Sequence, residues 1–303
     1  MSLTPTILTA TRPETLSVVV IGAGGTGARV LPGLVKILKP QMDRVHVVDF
    51  DTVEHKNLLR QHFCSSDVGR PKAEVMSERY SAEGLPVIAH LAKLSREEPE
   101  LLTHILTRSF ETIEAATPVT ADRQPPPASG HRWGALVVSC VDTREARRAI
   151  GEQLTTARTR LSGPLAWIDV GNETRSGQAL LSLSGWPVVD SLTWRVKGHV
   201  RIPGYRAMPQ IFQGVEDGGD GCLAIDTQTM AANNMAACAV LNMVSWVLHG
   251  VPFASAGTIF SVMNAMTAIP LRAGEPVLGS TSLLHQPSDQ FSVPGLEALP
   301  EYL

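Results

Sequence analysis

The chain has 303 residues, 44% of them hydrophobic, a formal net charge of −3 and a pI near 6.3. That length and apolar content can bury a large core, either as one big α/β domain or as two lobes. The charge balance leaves no electrostatic footprint for nucleic acid or an anionic membrane, and the four cysteines (Cys64, Cys140, Cys222, Cys238), with no Cys-x-x-Cys pair, argue against a disulfide framework and a structural zinc.

Residues 1–16 read as a short N-terminal arm; they lack the basic-then-apolar pattern of a signal peptide, so a cytoplasmic protein is expected. Residues 17–21 form an apolar run of β-formers that stops at spaced glycines, the pattern of a parallel strand buried on both faces. A first helix follows over 28–39, with Pro32 tolerable only if that helix starts at Gly27 or Ala28. Residues 44–48 are the second strand, ending in Asp49-Phe50-Asp51. Pro71 opens the next helix and Gly84 closes it. Residues 86–90 are the third strand and 97–108 the helix behind it. A proline-rich insertion spans 117–132. Residues 135–141 are another buried strand with Asp142 just past its carboxyl end; 144–161 are helical, and 165–170 and 178–183 are strands. The alternating pattern then fades, and 184–222 reads as irregular. Residues 223–249 form a long apolar helix, interrupted by Asp226, Gln228, Asn233, Asn234 and Asn242, which favours a buried packing helix over a membrane span. Residues 258–262 and 267–271 pair as a late hairpin, and 273–303 are a tail. The expected fold is a Rossmann-like, mostly parallel sheet with helices on both faces, continued by a mixed or antiparallel C-terminal part. It divides into a nucleotide-binding half (about 17–170) and a substrate and dimer half (about 171–272).

Gly22, Gly24 and Gly27 fit a strand-to-helix turn that lets backbone N–H groups approach a phosphate. Asp49 stands near the spacing of a ribose-binding acid. The residues that follow depart from a redox Rossmann domain. Asn57, Arg60, Gln61 and Lys72 supply more donor capacity than one nicotinamide pyrophosphate requires, whereas a triphosphate being cleaved does require it. Asp142 lies where open α/β sheets place their ligands.

The ordered set Gly22-Ala-Gly24-Gly25-Thr-Gly27, Asp49-Phe-Asp51-Thr-Val53, Asn57-Leu-Leu-Arg60-Gln61, Gly69-Arg-Pro-Lys72 and Cys140-Val-Asp142 resembles the ThiF/MoeB adenylating family, the catalytic core of ubiquitin-activating enzymes. In length and in its Val-Asp-Thr-Arg-Glu-Ala-Arg-Arg segment the chain looks most like the ThiF-related proteins of bacterial plasmid and mobile-element cassettes, the PRTRC system. The resemblance implies attack of a C-terminal glycine carboxylate, carried by a ubiquitin-like or sulfur-carrier-like protein, on the α-phosphate of ATP. It implies that Gly24, Gly25 and Gly27 admit the phosphates and that Asp49 binds ribose. Asn57, Arg60, Gln61 and Lys72 then hold the triphosphate, Lys72 as a mobile point charge, and Asp142 holds Mg²⁺. Asp51 is a second site acid or a structural one. Cys222, in a Gly-rich loop before a long helix, matches in order the family cysteine that becomes acylated, although Leu-Ala-Ile-Asp follows it in place of the usual Ala-Glu-Ala-Gly and some relatives stop at the adenylate. The resemblance also implies a homodimer and a downstream conjugating enzyme. The two Cys-x-x-Cys pairs of many relatives and their N-terminal Arg-Tyr-x-Arg-Gln, which reaches the partner subunit's ATP, are absent; Arg12 lies close to the first strand.

Three other readings remain: adenylation of another carboxyl or carbonyl substrate, such as a peptide C-terminus or a tRNA nucleoside; an NAD(P)-dependent oxidoreductase; and a binding module with a dead nucleotide site.

Overall fold

A computed structural model describes residues 8–40, 42–82, 84–116, 133–161, 163–172, 176–189, 192–193, 196–202, 229–253, 255–262 and 267–272. The proline-rich insertion, the tail, Cys222 and residues 203–228 lie outside them.

Among the described residues the sheet has nine strands: β1 (Thr15–Ile21), β2 (Arg44–Val48), β3 (Val87–His90), β4 (Trp133–Ser139), β5 (Leu165–Asn172), β6 (Ser176–Val189), β7 (Val196–Ile202), β8 (Ser255–Ser261) and β9 (Thr267–Arg272). Its order is β3-β2-β1-β4-β5-β6-β8-β9, with β7 also on β6. The first five strands pair in parallel and the rest antiparallel. The alternation of side chains along β1 feeds two cores. Leu16, Val18 and Val20 join one with helices α1 (Gly27–Ile37), α2 (Lys72–Ser81) and α5 (Met230–Leu248), while Val19 and Ile21 join the other with α3 (Leu101–Ala116) and α4 (Arg144–Arg160). Helices therefore cover both faces. The chain leaves β1 in one direction to β2 and β3, then crosses back to β4, so a crevice opens between the carboxyl ends of β1 and β4.

Several expectations are corrected. The helix placed at 97–108 runs Leu101–Ala116. Pro99 biases Glu98 away from helical geometry, and the side chain of Gln153 on α4 caps the later start, accepting from Leu102 N at 3.0 Å. The strand placed at 178–183 runs to Val189, and β7 replaces part of the stretch read as irregular. The extension passes through Gly185, whose φ of +64° allows the register shift between Leu183 and Trp186. Trp186 is then fully buried and its Nε1 donates to Val247 O on α5 at 3.2 Å. Residues 8–11 of the arm are not separate. Leu8 exchanges backbone hydrogen bonds with Phe253, Thr11 N donates to Pro187 O, and Val189 N donates to Thr9 O. Of the helix placed at 223–249, α5 covers Met230–Leu248 with the Thr229 hydroxyl accepting from Ala232 N at 3.1 Å, and residues 223–228 lie outside the described residues. By length and composition α5 could cross a membrane. Here it packs on α1, β5, β6 and β8, with Leu241 set against Gly33 at the α1 crossing.

Candidate nucleotide site

Ile21 ends β1, and the chain turns through Gly22–Thr26 into α1. Gly22 has φ +89°, and a Cβ there would stand 2.8 Å from Cys140 O, so only glycine fits beneath the end of β4. Hydrogen bonds Gly22 N to Val48 O (2.9 Å) and Cys140 N to Ile21 O (2.8 Å) tie the turn to both neighbouring strands. A Cβ on Gly27 would lie 1.9 Å from Gly22 O, which makes the turn and the start of α1 a single tight unit. Ala28 N donates to Gly24 O at 3.1 Å, and Arg29 N and Val30 N donate to Thr26 O at 2.9 and 3.0 Å, so the turn itself, with the positive end of an eleven-residue helix behind it, is what faces this crevice.

Asp49 locks the other side of the turn. Its Oδ2 accepts from Ala23 N at 2.6 Å and its Oδ1 from Asp51 N at 2.8 Å. Burial pushes its carboxyl up, and the two N–H bonds and the Lys72 cation oppose that. Asp49 thus shapes the glycine turn; each of its oxygens keeps a lone pair for a ribose hydroxyl.

Lys72 is not the mobile point charge expected. It opens α2, is 7% exposed, and its Nζ donates to Asp51 Oδ2 at 2.8 Å. Its backbone N also donates to Asp51 O at 2.9 Å. Asp51 is therefore the residue that fixes the ammonium beside Asp49. Asn57 is buried in a short 3₁₀ turn, His55–Leu59, where its Oδ1 accepts from Glu54 N at 2.9 Å; that commits one end of the amide and leaves Nδ2 for a ligand. Arg60 and Gln61 leave this turn with their N–H groups donating to Asn57 O. Gln61 Nε2 comes within 3.8 Å of where a Gly24 Cβ would be, so its side chain lies over the glycine turn, and its Oε1 is buried without a hydrogen-bond partner among the described residues.

Asp142 is exposed on the short segment between β4 and α4, two residues beyond the Cys140 carbonyl that faces Gly22. The structure therefore brings Gly22, Gly24, Gly25, Gly27, Asp49, Asp51, Gln61 and Lys72 around one crevice, with Asn57 and Arg60 on the adjoining turn and Asp142 at the end of β4. Cys222 lies outside the described residues. Burial pushes the Cys140 thiol up, as befits an inert strand cysteine. Arg12 donates to Asp43 Oδ1 at 2.6 Å and is committed within its own chain.

Sequence reasoning missed the polar residues beneath the site. Asn172 Nδ2 donates to Asn233 Oδ1 at 2.7 Å, and Thr26 Oγ1 bridges towards both asparagines at 3.1 and 3.3 Å. Arg29 is buried on α1; it donates to Asn234 Oδ1 at 2.7 Å and to Gly25 O at 2.5 Å. The available signal was the pair Asn233-Asn234 interrupting an otherwise apolar helix. Arg147 and Asp169 form a buried ion pair at 3.0 Å under the Asp142 segment.

Sequence comparison gives relatives with stated activities. The NEDD8-activating enzyme E1 catalytic subunit of Saccharomyces cerevisiae is 28% identical over 173 residues, covering 55% of this chain and 48% of the relative. The sulfur carrier protein adenylyltransferase of Thermus thermophilus is 47% identical over 72 residues, 23% of this chain and 26% of the relative. The chain thus spans about half or less of the length of these relatives. Among solved structures, Escherichia coli MccB with ATP superposes with a TM-score of 0.51 at 13% identity over 87% of this chain and 65% of that one, a likeness of fold. Residues 11–107, which carry the glycine turn, Asp49, Asp51, Asn57, Arg60, Gln61 and Lys72, match the model of the ThiF family.

Proposed function

We propose that this protein uses ATP to adenylate the C-terminal glycine carboxylate of a ubiquitin-like or sulfur-carrier-like protein. The observation that carries this reading is Lys72, a buried ammonium pinned by Asp51 beside the phosphate-binding turn. A cation held there is suited to a triphosphate that gains charge on its leaving group, and a nicotinamide dinucleotide has no use for it. The similarity to E1-like and sulfur-carrier adenylylating relatives supports the same class.

In this reading the carboxylate oxygen attacks the α-phosphorus, the bond from that phosphorus to the bridging oxygen of the β-phosphate breaks, and the electron pair leaves with pyrophosphate. Both reactants are anionic, so the chain's work is charge neutralisation and alignment. The turn Gly22–Gly27 and the α1 N-terminus receive the phosphates, Asp49 accepts from the ribose, and Asn57, Arg60, Gln61 and Lys72 hold the β- and γ-phosphates. Among the described residues no group of three or more His, Cys, Asp or Glu side chains could hold a metal. The exposed Asp142 carboxylate alone fits Mg²⁺, which takes most of its ligands from phosphate and water. When bound, Mg²⁺ supplies charge stabilisation on the phosphates. Cys222 is the acceptor of the activated acyl group in a second step, and two copies of the chain pair around α5.

ATP–pyrophosphate exchange with a panel of glycine-terminated ubiquitin-like proteins, peptides and tRNA tests this. Exchange stimulated by a protein of that panel is expected, with Asp142→Ala losing it by at least about a hundredfold and Cys222→Ala leaving exchange near wild type while removing a thiol-labile covalent complex. Stimulation by peptide or tRNA alone would overturn the substrate assignment. Loss of exchange in Cys222→Ala as severe as in Asp142→Ala would overturn the two-step scheme.

A further inference from the structure

We infer that Arg147 is a positioning residue that holds the Asp142 segment against β5, so that the Asp142 carboxylate meets its cation in one orientation. This rests on the proposed use of MgATP. Four residues, Cys140–Thr143, join the end of β4 to the start of α4. The Thr143 hydroxyl caps α4 by accepting from Ala146 N at 3.2 Å. One turn into the helix, Arg147 folds back under this segment. Its Nη2 donates to Val141 O at 2.6 Å and its Nη1 reaches Asp142 O at 3.4 Å.

The guanidinium is itself anchored. Arg147 Nε donates to Asp169 Oδ2 at 3.0 Å, and both residues are nearly inaccessible, 6% and 2% exposed. The other Asp169 oxygen accepts from Ser139 Oγ at 2.6 Å, and Trp167 Nε1 donates to Ser139 Oγ at 2.8 Å. Ser139 and Asp169 are register partners on β4 and β5. The strand that ends at the segment and the strand beside it thus share one hydrogen-bonded unit, and Arg147 extends that unit to the two carbonyls flanking Asp142. Gly171 leaves room for it: a Cβ there would stand 2.5 Å from Arg147 Nη2 and 2.7 Å from Gln178 Nε2.

A buried ion pair is a poor source of stability, because desolvation offsets its attraction and a packed apolar pair serves the fold as well. What it supplies is a fixed direction. The planar fork of arginine grips a carboxylate and two carbonyls at once, which a lysine cannot do. The Asp142 side chain is left exposed while its backbone is held, the arrangement required of a single carboxylate that must present its oxygens to a hydrated cation.

The test is calorimetry of ATP binding to the full chain with and without Mg²⁺, beside exchange kinetics. Wild type should bind ATP more tightly with Mg²⁺. Arg147→Met and Gly171→Ala, the latter displacing the guanidinium without removing it, should bind Mg²⁺-free ATP within about threefold of wild type. Both should lose most of the Mg²⁺ enhancement, and the Mg²⁺ concentration for half-maximal exchange should rise at least about tenfold, a change of about 1.4 kcal/mol in apparent affinity. Arg147→Lys should recover only part. If Arg147→Met fails to fold, Gly171→Ala decides alone, since its clash falls first on the ends of two side chains and not on backbone. An unchanged Mg²⁺ dependence in a folded Gly171→Ala, or full recovery by Arg147→Lys, would overturn the clamp while leaving the functional reading in place. A wild-type chain that binds no ATP overturns that reading and the inference with it.

Discussion

Gly27→Ala places a methyl group where the structure has no room. The added Cβ would sit 1.9 Å from Gly22 O and 3.0 Å from Gly22 C, so the first turn of α1 and the glycine turn must separate by about 1 Å or more to restore ordinary contact. Neither side yields cheaply, because Gly22 is bonded to Val48 and lies under Cys140, and α1 is packed by Leu31 and Leu34 in the core. Overpacking of this kind costs about 1–3 kcal/mol, which for a chain of this size lowers Tm by roughly 2–12 °C. The functional loss should be larger than the stability loss suggests. A displacement of about 1 Å weakens N–H bonds to phosphate that are worth about 1.5–3 kcal/mol each, so Kd for MgATP should rise between tenfold and a few hundredfold. Gly33→Ala is the matched control in the same helix. There the clash is with the Leu241 methyl groups at 2.5 and 2.7 Å, the end of a side chain that can move, and the site is not touched. Calorimetry on both variants, with circular dichroism to confirm folding, gives the comparison. A folded Gly27→Ala chain that binds MgATP within about threefold of wild type would refute the reasoning about the turn.

His46 makes stability pH-dependent: burial, then His90 and Arg44, push it down to about 3 from 6.5, and its Nδ1 lies 2.9 Å from His90 Nε2. The unfolded chain takes up this proton near pH 6.5 and the folded chain does not until about 3, so stability present above 6.5 is lost as pH falls through that window, to a limit of about 5 kcal/mol. Urea midpoints should fall more steeply between pH 7 and 5 for wild type than for His46→Leu, and equal slopes would contradict this. Iodoacetamide on the native protein should modify the exposed Cys64 and spare Cys140 until denaturant is added; labelling of Cys140 at a rate comparable with Cys64 would show that its strand is not closed. Lys72→Met should abolish exchange, while Asp51→Asn, which keeps an acceptor for the ammonium, should raise KM for ATP several-fold and leave a measurable rate; equal losses would mean that Asp51 acts on the substrate directly.

Local signals carried the parallel part of the fold. The glycine spacing, Pro71 before α2, the apolar runs of β1, β2 and β4, and Asp142 past β4 are all short-range features, and each is found where turn chemistry and periodicity place it. The hairpin β8–β9 was legible for the same reason. What was not legible depends on partners far along the chain. The start of α3 is set by Gln153, the length of β6 by a bulge at Gly185 and by β7, and the packing of the arm by Pro187 and Phe253. In the site, Lys72 and Arg60 were visible as cations, but the hold of Asp51 on Lys72 spans 21 residues, and the asparagine pair beneath Thr26 joins positions 61 residues apart. Arg147 stands among Arg144 and Arg148 with nothing short-range to single it out; its burial against Asp169 separates it from them.

The most direct test of an ATP-using site is titration calorimetry of the full chain with MgATP and with NADH under the same conditions. Saturable binding of MgATP with no heat from NADH is predicted, because the proposed function gives the pinned Lys72 and the adjoining Arg60 turn to a triphosphate. Binding of NADH with MgATP silent would contradict it.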